Sequence, residues 1–267
     1  MPAGGQPLPY GRGAAGMKRV KAMSVRHDEA VGIQRLYYTE TAADYERMHA
    51  GEGLRDAFTR KFVESIFRML DARSILDVGT ATGRFLSDLR PVLPGAFLCG
   101  VEPVFPLLEV GRQSGALDSG DLVCGSGDAL PFPDSSFDVV CEFATLHHVR
   151  RPNAIVREMT RVARKGVVLV DSNRFGQGSL LARVAKVGVC KLGLWPVYDW
   201  LRTRGNGYRI TDGDGLSFSY SVFDSYELLS AWADRLILVP TESEKASSWL
   251  HPLLNSRGVL ACAIKEG

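Results

Sequence analysis

No stretch of this 267-residue sequence approaches the ~18 consecutive apolar residues that a membrane-spanning helix needs, and no charged-then-apolar leader opens it. An excess of either charge is missing as well: the formal net charge is +2, which gives no overall signal for binding a polyanion. Cysteine is sparse. The five residues Cys99, Cys124, Cys141, Cys190 and Cys262 are odd in number, scattered, and mostly set in apolar stretches. That pattern argues against a disulfide framework and shows no metal-ligand spacing, so no metal is expected. Buried thiols suit a reducing cytoplasm, the expected location. What is present is apolar content: 45% hydrophobic residues over this length suffice for one α/β core with an insertion.

Residues 74–86 carry the most information. Ile75, Leu76 and Val78 suit a buried parallel strand, and Gly79, Ala81 and Gly83 strip side chains from the turn that follows. Arg84-Phe85-Leu86 then opens a helix, so backbone N–H groups of the turn can face a ligand at a helix N-terminus. Asp77 at the strand end is the unusual member. A phosphate-binding loop gains nothing from a carboxylate there, whereas a ligand carrying an ammonium group does. A dinucleotide site would need Gly-x-Gly-x-x-Gly. Counted from Gly79, its second and third glycines fall on Ala81 and Arg84, so the pattern fails twice.

The run Asp77-Val78-Gly79-Thr80-Ala81-Thr82-Gly83 resembles the first motif of the class I S-adenosylmethionine-dependent methyltransferases, Asp-x-Gly-x-Gly-x-Gly, with Ala81 at the middle glycine. Three further pieces follow in order. Phe97–Glu102 reads as a second strand ending in an acid, placed to accept ribose hydroxyls. Gly127-Asp128-Ala129-Leu130-Pro131-Phe132 through Val140 is similar to the stretch before strand four in the type 11 branch, which includes ubiquinone and menaquinone biosynthesis enzymes. Leu146-His147-His148-Val149 continues the match. The resemblance implies an α/β, Rossmann-like, seven-stranded and mostly parallel sheet. Helices cover both faces, the last strand is antiparallel, and a lid is inserted between strands five and six. It implies S-adenosylmethionine as cofactor and S-adenosylhomocysteine as product. The residues implied at the cofactor are Asp77, Gly79, Thr80, Ala81, Gly83, Glu102, Pro103, Asp128, Ala129, Glu142 and Phe143. Asp77 is expected at the methionine ammonium, Glu102 at the ribose and Asp128 at the adenine.

The chain divides into four parts. Residues 1–30, rich in Gly, Pro, Ala and Arg without apolar periodicity, are expected to be disordered. Residues 31–267 are expected to form a single domain. Within it, residues 31–70 read as a helical cap in which Phe58, Phe62, Ile66 and Met69 recur at helical spacing and pack on the sheet. Tyr37, Tyr38, Tyr45 and His49 lie upstream, and related enzymes close such a segment over the cofactor. Tyr37, Tyr45 and His49 are therefore substrate-wall candidates, with plain core packing as the competing reading. Strands are expected near 74–79, 97–102, 121–124, 137–142 and 166–171, then at 235–240 and 258–264. Asp171-Ser172-Asn173-Arg174 ends the fifth strand, so Asn173 and Arg174 are substrate candidates. Asp224, three before Glu227, resembles a capping box.

Residues 172–223 are the anomaly, expected to form a lid or substrate cap. From Ser172 to Arg209, Arg174, Arg183, Lys186, Lys191, Arg202, Arg204 and Arg209 oppose a single acid, Asp199. Leu180, Leu181, Val184, Val187 and Leu192 form a helical stripe, followed by Trp195, Tyr198 and Trp200. Thr211–Gly215 marks a turn, and Leu216–Val222 alternates as a half-buried strand does. Three readings of the basic segment stay open: a solvated face, recognition of an anionic small molecule, or peripheral contact of 174–209 with a membrane surface. A small-molecule acceptor is expected, as monomer or homodimer. Nucleic acid is disfavoured, because Glu142-Phe143-Ala144-Thr145 stands where amino-methylating enzymes carry Asn/Asp-Pro-Pro-aromatic. A non-catalytic scaffold is the remaining alternative. If the acceptor needs a base, the candidates are His147, His148, His49 and Asp171, with one histidine of the pair serving to cap or pack.

Overall fold

The computed structural model describes residues 27–49, 53–115, 121–211, 214–242 and 251–266. The disorder expected over residues 1–30 lies outside this range apart from residues 27–30, which open the first helix. The chain begins with α1 (His27–Thr41), α2 (Tyr45–Met48) and α3 (Gly53–Met69), then alternates strand and helix. The order is β1 (Ser74–Val78), α4 (Arg84–Leu89), β2 (Phe97–Glu102), α5 (Phe105–Gln113), β3 (Leu122–Cys124), β4 (Phe137–Phe143), α6 (Pro152–Val162) and β5 (Ala163–Ser172). A helical pair, α7 (Leu180–Lys191) and α8 (Trp195–Arg202), and a two-stranded ribbon, β6 (Arg209–Thr211) with β7 (Gly215–Ser217), follow. The sequence closes with α9 (Tyr226–Trp232), β8 (Arg235–Pro240), α10 (Pro252–Asn255) and β9 (Gly258–Ile264).

The main sheet has seven strands in the order β3-β2-β1-β4-β5-β9-β8. Strands β1 to β5 run parallel, and β9 is antiparallel to both β5 and β8. Near-continuous apolar strands are what a sheet covered on both faces requires. On one face Leu76, Val78, Val101, Val140, Val167 and Leu169 pack with Ile155, Val156, Met159 and Val162 of α6. On the other, Ile75, Leu98, Val139, Cys141 and Val168 pack with Val63, Ile66 and Phe67 of α3 and Leu86 and Leu89 of α4. Strand order reverses between β1 and β4, and ligands of open α/β sheets bind beyond the carboxyl ends of strands at such a point.

Three local expectations are corrected. The buried stripe of α3 runs through Thr59, Val63, Ile66 and Phe67, while Phe58 and Met69 are exposed. The polar Thr59 on the inner face had disguised the phase of the helix. Leu216–Val222 is a strand only as far as Ser217, because Phe218 N turns to donate to His147 O (2.7 Å) and Tyr220 N folds back onto Phe218 O (2.9 Å). The capping box lies one turn earlier than expected. Ser221 is its cap and Asp224 its third residue, since the Asp224 carboxylate accepts from Ser221 N and from Arg174.

Candidate active site

The turn after β1 is held by its own backbone. Gly79 N and Thr80 N both donate to Val101 O, at 2.8 and 3.1 Å, and Gly83 N donates to Thr80 O at 2.8 Å. Gly79 adopts φ +78°, and a Cβ there would lie 2.3 Å from Thr145 Oγ1. Ala81 takes φ +51°, a left-handed conformation that glycine adopts without steric cost and alanine does not.

A cavity of about 310 Å³ opens at this turn. Its floor is Asp77, Gly79, Thr80, Ala81 and Thr82, with Glu102 and Pro103 beyond β2 and Asp128 and Phe143 on the far side. Gln34, Tyr38, Tyr45 and His49 from the N-terminal helices cover it, together with His148 and Asp214. Asp77 is 3% exposed, and among the described residues no basic side chain offsets its charge. Burial pushes its carboxyl up to about 7, against a smaller downward pull from the Thr80 hydroxyl. Burial likewise lifts Glu102 to about 7, although its oxygens accept from Val104 N (2.9 Å) and Ala81 N (3.1 Å).

A second cavity of about 420 Å³ lies beyond the carboxyl ends of β4 and β5. It is lined by His147, Asp171, Val170 and Ser172, by Thr59 of α3, and by Gln177, Thr241, Glu242 and Arg257. Ala144 lines both cavities and has φ +53°, its N–H tied to Val170 O at 2.8 Å.

Between the cavities sits a group of ionisable side chains. Asp171 is buried and accepts from Leu146 N (2.8 Å), His147 N (3.2 Å) and His147 Nδ1 (2.8 Å). On the other side of the ring, His147 Nε2 lies 3.6 Å from Asp214 Oδ1. Burial alone would lower the His147 pKa, but the charges and hydrogen bonds of Asp171 and Asp214 outweigh it and hold the imidazolium up to about 10. Burial would raise Asp171; the His147 charge overrides it and keeps the carboxylate ionised. Glu142, fully buried beside it and accepting from Thr145 N and Val170 N, is pushed well up by burial and by the Asp171 charge. His148 donates Nδ1–H to Leu216 O at 2.7 Å, and its Nε2 lies 3.4 Å from Asp214 Oδ1.

The candidate residues therefore divide. Asp77, Gly79, Thr80, Ala81, Glu102, Pro103, Asp128, Phe143, Tyr45, His49 and His148 surround the first cavity, and His147 and Asp171 face the second. Gly83 shapes the turn from behind. Ala129 is exposed outside the cavity, and Glu142 is enclosed beneath it. Tyr37 packs against Gly215. Neither Asn173 nor Arg174 lines either of these two cavities. Asn173 donates to the carbonyls of Leu253 (2.9 Å) and Ser256 (2.8 Å) and accepts from Phe175 N and Ser221 Oγ. Arg174 grips Asp224 and lies over the Trp195 ring at 4.4 Å. Both are buried scaffold, because an arginine so enclosed needs a carboxylate partner inside the protein. Gln34, Thr59, Asp214 and Arg257 come to the cavities from distant parts of the chain, and no local motif marks them.

This turn, its acids and the strand order define a Rossmann-like methyltransferase fold. Residues 76–170 match the family described as Methyltransferase domain. The chain is 41% identical over 91 residues to a demethylmenaquinone methyltransferase of Roseiflexus castenholzii, covering 34% of this chain and 38% of that protein. It is 33% identical over 135 residues to an uncharacterized methyltransferase of Mycobacterium avium, covering 48% and 53%. The chain thus spans roughly two fifths to one half of the length of these curated relatives. In fold it is similar to the magnesium protoporphyrin IX methyltransferase of Synechocystis PCC 6803, solved with bound SAH. The TM-score is 0.57 at 14% identity, over 88% of this chain and 100% of that one. Among the described residues no helix is long and apolar enough to cross a membrane.

Proposed function

We propose that this protein transfers a methyl group from S-adenosylmethionine to a small acceptor held in the second cavity. One observation carries the reading: Asp77, a buried carboxylate without a cationic partner among the described residues, faces a cavity beside a turn of small residues. A cationic amino-acid ligand satisfies that carboxylate, and the residues present fit it. Asp77 holds the ammonium group, Glu102 accepts from ribose hydroxyls, and Asp128 with Phe143 borders the adenine side and the reacting end. The bound cofactor supplies an already electrophilic methyl group, so the chain's task is positioning. Ala144 keeps the partition between the cavities thin. His147, held as an imidazolium by Asp171, donates toward the acceptor, which favours acceptors whose attacking atom is anionic or readily ionised. The helices α7 and α8 with the β6–β7 ribbon serve as the lid, and a cytoplasmic site of action fits this chemistry.

Calorimetric titration with S-adenosylhomocysteine tests the first half, and tritium transfer from labelled cofactor to phenolic, enolic and carboxylate acceptors tests the second. Micromolar binding that Asp77→Asn weakens supports the reading; no binding at millimolar ligand overturns it.

A second reading of the acceptor rests on the α7–α8 face. Leu181 (81% exposed), Leu192 (74%) and Leu201 (63%) lie there with Leu180, Val184, Val197 and Trp200, all more than half exposed. Few soluble monomers leave so much apolar surface uncovered without a partner. Lys191, Arg204 and Arg209 are the exposed charges nearby, whereas Arg183 and Lys186 donate to main-chain carbonyls. A lipid-linked acceptor at an anionic membrane surface fits this face. Flotation with phosphatidylglycerol vesicles, compared between the unaltered chain and Leu181→Glu/Leu192→Glu, checks it.

A further inference from the structure

We propose that His147, His148 and Asp214 form a binding site for one divalent first-row transition-metal ion at the junction of the two cavities. Each offers a single ligand atom, and the three atoms lie within 4.8 Å of one another. Asp214 Oδ1 is 3.6 Å from His147 Nε2 and 3.4 Å from His148 Nε2. Ligands about 2.1 Å from a common ion stand roughly 3.4 Å apart at tetrahedral angles, so little movement closes the triad on a metal.

The second observation is what lies behind the rings. A metal-binding histidine needs its other nitrogen engaged as a donor, so that the tautomer and ring orientation are fixed. Both rings meet that condition. His147 gives Nδ1–H to the buried Asp171 at 2.8 Å, and His148 gives Nδ1–H to Leu216 O at 2.7 Å. Gln34 adjoins the same pair: its Oε1 accepts from Leu216 N at 2.7 Å, and its Nε2 lies 3.0 Å from His148 Nδ1. Each histidine therefore turns Nε2 toward the same carboxylate, and a bound ion takes the place of the proton that His147 Nε2 otherwise carries, which leaves to solvent. Two imidazoles and one carboxylate suit zinc, cobalt, nickel or iron(II), and three protein ligands leave positions open. Both histidine side chains are largely buried, at 14% and 10% exposure, while that of Asp214 is half exposed. The ion thus has a rigid pair of ligands and one ligand facing the approach.

His148 and Asp214 border the first cavity and His147 the second. An ion here meets an acceptor oxygen where the cavities adjoin. The site goes beyond the methyl-transfer reading, and its test does not depend on activity. The full chain, stripped with chelator, is titrated with Co²⁺ by visible absorption and with Zn²⁺ by calorimetry; S-adenosylhomocysteine affinity is read on the same samples. One ion per chain at micromolar affinity is expected. Asp214→Ala should weaken it ~10–100-fold, and His147→Gln with His148→Gln should abolish it. His251→Asn, an exposed histidine outside the site, should change nothing. Absence of binding at ~1 mM metal, or one-to-one binding that Asp214→Ala and the double histidine variant leave unchanged, overturns the site. Where S-adenosylhomocysteine binds and metal does not, only this site fails; where metal binds and S-adenosylhomocysteine does not, only the cofactor reading fails.

Discussion

Arg174 and Asp224, 50 residues apart in the chain, meet through two nitrogen–oxygen contacts of 2.5 Å each. The guanidinium also donates to Ser219 O at 2.7 Å and lies over the rings of Phe175 and Trp195. It thereby fastens the end of β5 to the turn before α9. Arg174→Ala leaves Asp224 without its partner, and a broken enclosed pair costs about 3 kcal/mol. Denaturant unfolding should show that loss, while S-adenosylhomocysteine affinity stays within about twofold, since neither residue lines the cavity.

The glycine turn gives two opposed outcomes. In Gly79→Ala a Cβ enters the space of Thr145 Oγ1 on backbone already at φ +78°, so cofactor affinity should fall by at least about tenfold by calorimetry. Ala81→Gly removes a Cβ from φ +51° and should raise stability by about 1 kcal/mol. A lower melting temperature for Ala81→Gly would contradict the strain assigned to that position.

The acids of the first cavity set a pH dependence. Asp77 and Glu102 have carboxyl groups raised to about 7 in the folded chain, from 3.8 and 4.5. For an acid raised by folding, the ligand-free protein is most stable below the unfolded value and loses stability as pH climbs toward 7. A cationic ligand requires the ionised form, so its binding should strengthen between pH 6 and pH 8 and release protons. Calorimetry in buffers of different ionisation enthalpy measures both. Asp77→Asn should flatten the curve and cost about tenfold in affinity at pH 8.

Asp171 acts on His147 in a measurable way. The ring is raised from 6.5 to about 10, so this pair contributes stability that is complete below 6.5 and is lost as pH rises through about 10. Asp171→Asn should bring the His147 titration down, as read by ring-nitrogen NMR. It should also destabilise the chain by about 2 kcal/mol, because the donors of Leu146 and His147 lose a charged acceptor.

What was legible in the sequence was whatever depends on neighbours in the chain. Ser74–Gly83 announces a strand and turn because apolar residues, an acid and small residues follow one another within ten positions, and Glu102 closes the next strand. Asp214 was read only as part of a turn, since its meaning comes from His147 and His148, brought beside it by the fold. Arg174 and Asn173 show a related limit. Their place at a strand end suggests a ligand, but main-chain carbonyls of α10 and the Asp224 carboxylate had already claimed them. The basic excess of 172–209 misleads in the same way: Arg183 and Lys186 serve carbonyl groups that no local pattern reveals.

Ala144 is a single methyl side chain shared by the cavity proposed for the methyl donor and the one proposed for the acceptor. Transfer needs reacting atoms about 3 Å apart, so the thickness of this one residue limits the reaction more sharply than the affinity of either chamber. On the proposed reading, valine there would thicken the wall between donor and acceptor while leaving the rest of each chamber in place, a change of distance rather than of affinity.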